Sequence, residues 1–279
     1  MADRRTMQID LSNSYFRCMQ LTELDAPWAV HGKGLSTDYM TPDIQTIRES
    51  PGRYVVFDKN IVLEPSWEFF HPESWFGQAK PLVEGRGTVW LINAGEQQWI
   101  LKQYLRGGLI SHLVSARYFF TGYERTRMAN EFSMLQKLYL AGLPVPRPVA
   151  ASAQRKSFLT YSGSLITEYL PNSRSLASFI KLSDWENAPW EAIGKTIRRF
   201  HEYGAMHRDL NASNILLAEG CTYLIDFDKG RLVGHRSNAS WKQKNLRRLR
   251  RSLDKLSGST VAIDTAWRRM LTGYDAEPD

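Results

Sequence analysis

The sequence predicts an α+β fold in two lobes, a small β-rich one followed by a compact helical one, on three observations. Strand-like runs crowd residues 53 to 104, a long helical period follows at 128, 132, 135 and 138, and beyond about residue 170 the pattern is mostly helical. The expected division is a partly flexible N-terminal extension over 1–52, a β-rich lobe over 53–170 that includes the long helix, and a helical lobe over 171–279.

Residues 1–52 carry Pro42, Pro51 and scattered polar residues with little periodicity, so no chemistry is assigned to them. "YVVFD" at 54–58 is strand-like, and "SWEFFHPESWFGQ" at 66–78 is an aromatic-rich turn or short helix whose rings read as core. "TVWLI" and "QWILKQY" predict two strands joined by a turn over Asn93-Ala94-Gly95-Glu96. The next helix buries Met128, Phe132, Leu135 and Leu138 and stops at Gly142, before a proline-rich turn. "SLITEYL" at 164–170 reads as a buried strand with a polar exit. A further helix starts near Pro189 and carries Trp190, Ile193, Ile197 and Phe200 inward until Gly204. From Trp241 to Leu256, seven lysines and arginines accompany one aspartate, with Leu246, Leu249, Leu253 and Leu256 at helical spacing. That segment predicts a helix with leucines on the body and cations turned outward.

A formal charge of +7 favours anionic partners without naming one. Cys18 and Cys221 suggest neither a disulfide framework nor a zinc site, and Cys221 reads as a buried thiol. The first residues lack the apolar core of a secretory signal, and no apolar run is long enough to span a bilayer, so the expected place is the cytoplasm. "HEYGA" lacks the second histidine, one helical turn on, that a metalloprotease helix needs.

The chemistry lies in "MHRDLNASNILL" (206–217) and "LIDFDKGR" (224–231). Phosphoryl transfer asks a protein to place a hydroxyl in line with a phosphate and to neutralise the charge that develops, rather than to supply covalent chemistry. Asp209 can accept the hydroxyl proton. Asn214, five residues on, offers an oxygen to Mg²⁺, and Asp226, seventeen residues past Asp209, presents a carboxylate at a strand end for the same ion.

These stretches resemble the protein-kinase-like fold: "HRDLNASN" matches its catalytic loop, and "DFD" stands where Asp-Phe-Gly is usual. The resemblance implies ATP as phosphate donor, Lys102 as the strand lysine on its phosphates, and a helical glutamate as the partner of that lysine. Glu124 and Glu131 both qualify, and Glu131 is preferred for its mid-helix place beside Phe132 and Leu135. It also implies that Gly85 and Gly87 bring backbone amides to phosphates, and that Glu168 and Tyr169 form the interlobe hinge that meets adenine. Three departures speak against a protein acceptor. Asn211 replaces the usual lysine, Asp228 replaces the glycine, and the 53 residues after Asp226 are too few for an activation segment and a peptide-binding lobe.

More closely, "GRGTVWLI", "YLRGGLISHLVSARYFFTGYERTRMANEF", "GLPVPRPVAA", "HRDLNASNILL", "LIDFDKGR" and "WKQKNLRRLRRSLDKL" resemble the 3-deoxy-D-manno-octulosonic acid (Kdo) kinases of lipopolysaccharide assembly. That resemblance implies ATP- and Mg²⁺-dependent phosphorylation of a Kdo hydroxyl, the 4-position, on a Kdo-lipid A precursor at the cytoplasmic face of the inner membrane. Arg106, Gly107, Gly108 and the basic helix are then candidates to meet anionic groups, including the membrane surface. Neither nucleic acid nor an obligate protein partner is expected. Two alternatives stay open on sequence: a heptose or other small-molecule kinase of this fold, and a noncatalytic basic protein that binds membrane or nucleic acid.

Overall fold

The computed structural model describes residues 42–49, 52–82, 88–104, 122–155, 157, 160–234, 240–258 and 261–276. Its first half is an antiparallel sheet of seven strands: β1 (Ile44–Glu49), β2 (Arg53–Asp58), β3 (Ala79–Leu82), β4 (Thr88–Ala94), β5 (Gln97–Tyr104), β6 (Pro148–Arg155) and β7 (Tyr161–Glu168), in spatial order β1-β2-β6-β7-β5-β4-β3. β1 lies within the segment that the sequence assigned to the extension, and it pairs along the whole of β2. Pro81, which cannot donate to a ladder, sits in the edge strand β3. The β4–β5 hairpin closes through Gly95 at φ 70°, a conformation open to glycine without a Cβ clash.

Strand alternation divides the sheet into two faces. Val55, Phe57, Trp99, Leu101 and Ile166 pack on one side against Phe69 and Phe70 of the aromatic segment. Tyr54, Val56 and Leu165 face the other side, where helix α1 (Arg127–Leu140) lays down Met128, Phe132 and Leu135. Phe76 departs from the expected aromatic core: it is 94% exposed in a left-handed turn at φ 45°. α1 ends in a Schellman cap, with Leu143 N–H donating to Leu138 O and Gly142 N–H to Tyr139 O, both at 3.0 Å. Gly142 takes the left-handed position at φ 69° that this cap demands.

The second half carries α2 (Leu176–Lys181), α3 (Trp190–Glu202), α4 (Ser240–Ser257) and α5 (Val261–Asp275). Between them run the short strands β8 (Arg174–Ser175), β9 (Ala205–Met206), β10 (Ile215–Ala218), β11 (Cys221–Leu224) and β12 (Arg231–Leu232). β10 and β11 form a hairpin with β8 alongside, and β9 pairs with β12. Cys221 is half-buried at the start of β11, in place of the full burial expected, because Thr222 and Leu224 take the inward positions of that strand. Among the described residues no helix is long and apolar enough to cross a membrane.

α3 and α5 touch backbone to backbone. A Cβ added to Gly194 would stand 2.0 Å from Met270 O, and one added to Gly273 would stand 2.0 Å from Glu191 O. His201, at the end of α3, is buried where three helices meet. Its ring packs edge-on to Trp241 of α4 and Tyr274 of α5, with Nδ1 2.7 Å from the Tyr274 hydroxyl and Nε2 facing Asn245. Burial lowers its pKa to about 4. The unfolded chain therefore takes up a proton below about pH 6.5 that the folded state refuses until about pH 4. Stability from this group is full above pH 6.5 and is lost as the pH falls, by about 3 kcal/mol at ~1.4 kcal/mol per unit. Urea unfolding at pH 7, 5.5 and 4.5 should show His201→Gln losing about 2 kcal/mol less than the parent by the lowest pH; equal losses would remove His201 as the cause.

Candidate active site

The β10–β11 hairpin brings the two proposed metal ligands together. Its register pairs Ile215 with Leu224, so the residues just outside, Asn214 and Ile225, stand opposite one another, and Ile225 N–H donates to Asn214 O at 3.1 Å. Asp226 is the next residue, at φ 65°, a left-handed conformation that costs a non-glycine residue energy and recurs at functional sites. Asn214 Nδ2 donates to Asp209 O at 2.9 Å, which fixes the other end of the amide as the oxygen. Asn211, where a lysine is usual, caps this turn: its Oδ1 accepts from the N–H groups of Ser213 and Asn214.

His207 pins the loop of Asp209 to the end of β11. Its buried ring accepts from Asp209 N–H at Nδ1 (3.1 Å) and donates from Nε2 to Ile225 O (2.8 Å), a pattern that only the neutral Nε2–H tautomer satisfies. Burial lowers its pKa and favours that neutral form. The loop is held from below by α4, whose Asn245 donates to His207 O at 2.7 Å while Ser252 Oγ accepts from Ala212 N–H at 3.0 Å. Asp209 is left with a side chain 64% exposed, touching Arg248 of α4 at 3.3 Å.

Lys102 occupies the α1 side of β5, since Trp99 and Leu101 take the alternate positions on the other face. Its Nζ lies 3.2 Å from Glu131 and 2.7 Å from Asp226, so one cation joins the sheet, helix α1 and the segment after β11. Glu131, rather than Glu124, is the helical partner; Glu124 pairs with Arg48 on the surface. Glu131 is 2% exposed and also accepts from Tyr104 Oη. Burial pushes the Glu131 pKa up, with Lys102 opposing. Burial works against the charged forms of Lys102 and Asp226 too, but their attraction prevails, holding Lys102 above and Asp226 below its usual range. Burial and Glu131 raise Tyr104 well above the normal phenol range, so it remains a donor.

Comparison with known proteins matches this arrangement to a family. The model described as "Lipopolysaccharide kinase (Kdo/WaaP) family" matches residues 72–274. The chain belongs to that family. It is 42% identical over 225 residues to a 3-deoxy-D-manno-octulosonic acid kinase of Xanthomonas oryzae pv. oryzae (strain PXO99A), covering 79% of this chain and 89% of that protein. A protein of the same name from Vibrio parahaemolyticus serotype O3:K6 (strain RIMD 2210633) is 40% identical over 76% of this chain and 88% of its own length. A solved structure described as WaaP in complex with acyl carrier protein aligns with 74% of this chain and 81% of its own, at TM-score 0.47 and 18% identity. Membership makes the protein an ATP-dependent kinase acting on a sugar, in the phosphorylation of the lipopolysaccharide core.

In this Kdo/WaaP kinase the glutamate and lysine meet, as do the hairpin ligands, while other expected residues fare differently. Gly85, Gly87, Arg106, Gly107 and Gly108 lie outside the described residues. Glu168 ends β7 and Tyr169 follows it, at the sheet's exit to the helical half. Their N–H groups are committed to Arg147 O and Gln98 O, both at 2.9 Å. Among the described residues no group of three or more His, Cys, Asp or Glu is gathered as a metal cage. Asn214 and Asp226 instead make a two-oxygen set, which suits an Mg²⁺ ion whose remaining ligands are phosphates and water.

Asp228, the replacement for the kinase glycine, has a part that the sequence did not show. Its carboxylate takes both sides of the Arg127 guanidinium, with Arg127 Nε at 2.7 Å from Oδ1 and the second nitrogen on Oδ2. Arg127 opens α1, where the helix dipole disfavours a cation, and Asp228 brings an anion to that end. The pair is 33% and 12% exposed and ties α1 to the segment after β11. A double-mutant cycle with Arg127→Met and Asp228→Asn, followed by urea unfolding, should give a coupling of about 1–3 kcal/mol. Additive losses would show that the two carboxylate contacts do not act together.

Proposed function

We propose that this kinase transfers the γ-phosphoryl group of Mg-ATP to the 4-hydroxyl of Kdo on a Kdo-lipid A precursor, working peripherally at the cytoplasmic face of the inner membrane. The observation that carries the mechanism is the junction at Asp226: its carboxylate meets Lys102 at 2.7 Å, and the residue before it, Ile225, is hydrogen-bonded to Asn214. Phosphates entering there meet a cation and two oxygen ligands. Kdo as the acceptor is supported by the names and coverage of the curated relatives.

Asp209 receives the proton of the acceptor hydroxyl as its oxygen attacks phosphorus and the bond to the β-phosphate oxygen breaks. Its exposed carboxylate, on a loop fixed by His207 and Asn214, suits a bulky lipid-linked sugar. Lys102, held by Glu131, positions phosphate oxygens in exchange for its contact with Asp226. Asn214 and Asp226 would hold the Mg²⁺, which when bound offsets the negative charge that builds on the phosphates. The presence of every one of these groups favours catalysis over a binding-only role.

Membrane attachment is supported by α4. Its apolar and polar-buried side, Trp241, Asn245, Leu249 and Leu253, faces the body, and Lys244, Arg247, Arg248, Arg251 and Lys255 are exposed. A cation near an anionic lipid surface contributes about 1 kcal/mol.

Two measurements test the proposal. Labelled γ-phosphate should reach Kdo-lipid A precursor but not the same lipid without Kdo, and Asp209→Ala should slow transfer by at least about a hundredfold while still binding Mg-ATP. Label on a heptose-bearing core alone, or full activity of Asp209→Ala, would overturn it. In co-sedimentation with vesicles rich in anionic lipid, a Lys244→Gln/Arg247→Gln/Arg251→Gln variant should bind about a hundredfold more weakly at low salt. Unchanged binding would remove α4 as the attachment surface.

A further inference from the structure

Phosphoryl transfer by itself does not call for an arginine on the catalytic aspartate, yet Arg248 stands there. Its place follows from the anchoring of α4. Asn245 and Ser252 lie on the helix side that meets the catalytic loop, three residues before and four after Arg248, and their bonds to His207 O and Ala212 N–H set the rotation of the helix. Arg248 is thereby turned to the Asp209 carboxylate, with one guanidinium nitrogen 3.3 Å from Oδ1.

The contact itself contributes little to stability. The side chains are 46% and 64% exposed, and an open pair of this kind is worth at most about 1 kcal/mol. A single long contact also occupies only one of the five N–H donors of the guanidinium. When an acceptor hydroxyl arrives at Asp209, the arginine beside it meets whatever the acceptor carries next to that hydroxyl. On the proposed acceptor, an octulosonic acid, the same ring carries a carboxylate on the carbon two positions from the 4-hydroxyl, within the reach of an arginine side chain.

We infer that Arg248 is the specificity residue of the acceptor site: it exchanges its contact with Asp209 for a paired contact with the sugar carboxylate, and so brings the hydroxyl to the aspartate. Guanidinium and carboxylate are matched in shape for two parallel hydrogen bonds. Lys244 and Arg251, exposed on the same stripe four residues before and three after, extend the positive field along the helix. A neutral sugar gives Arg248 nothing to exchange for, and Arg248 does nothing to bring its hydroxyl to Asp209. The inference rests on the Kdo reading above.

Its test is a kinetic cycle with wild type, Arg248→Ala and Arg248→Lys on three lipid acceptors: intact, with the Kdo carboxyl converted to the amide, and with the lipid A phosphates removed. Arg248→Ala should lower kcat/KM for the intact acceptor by about 10- to 100-fold, the range of a charge-assisted hydrogen bond, with the KM for ATP unchanged. The amide should cost the wild type the same factor and cost Arg248→Ala nothing more. Arg248→Lys should recover part of the loss, and phosphate removal should affect wild type and Arg248→Ala equally. Losses from Arg248→Ala and amidation that multiply would overturn the inference, as would an Arg248 effect that vanishes only with the phosphates, which would make the subsite one for phosphate. Wild-type transfer to the Kdo lipid that ignores Arg248 sinks the subsite alone. Wild-type failure on every Kdo acceptor sinks the Kdo reading and the subsite together.

Discussion

A single ammonium group, that of Lys102, is shared by two carboxylates from opposite sides of the molecule, and much else is arranged to keep it there. A buried charge is tolerable only when its partners are exact in number and place, because removing one leaves the others uncompensated in a poor solvent for ions. Glu131 can serve only if α1 lies flat on the sheet with that turn inward, and the packing of Met128, Phe132 and Leu135 secures this. Asp226 can serve only if the β10–β11 hairpin ends in register and the backbone bends into its left-handed position. The ion pair is thus also a mechanical joint between the halves, and the Arg127–Asp228 pair is a second joint beside it.

Below that joint, polar groups rather than apolar ones shape the catalytic loop. His207 is useful here for having one donor and one acceptor, and its burial among apolar neighbours such as Phe227 keeps it in that state. Asn211 accepts from the amides of the tight turn and Asn214 donates to the Asp209 carbonyl, so these backbone groups are satisfied internally and Asp209 remains open to a large substrate. The departures from protein kinases that the sequence showed, at positions 211 and 228, are each filled by a residue with a defined local task.

The apolar architecture was legible in the sequence. Helices α1 and α3 announce themselves by spacing, the β4–β5 hairpin by alternation around Gly95, and the loop motifs by order and separation. What was not legible was polar burial and contact at long range. Arg127 and Asp228 are 101 residues apart, and no local pattern links them. Gly194 and Gly273 look like weak points in their helices until α3 and α5 are seen to touch there. Leucine spacing placed 246, 249, 253 and 256 on one inward face of α4. In the fold Asn245 and Ser252 also turn toward the body, a choice made by hydrogen bonding that hydrophobic periodicity does not record. β1 was hidden for a related reason: an edge strand with exposed residues on much of its length lacks the alternation that marks a half-buried one.

The two bonds from α4 to the catalytic loop span 38 and 40 residues of chain. During synthesis the loop therefore leaves the ribosome well before the helix that fastens it. Asp209 is made early and its loop is fastened late. A nascent chain halted between the two would hold the complete motif with its internal hydrogen bonds but without the helix that fastens it.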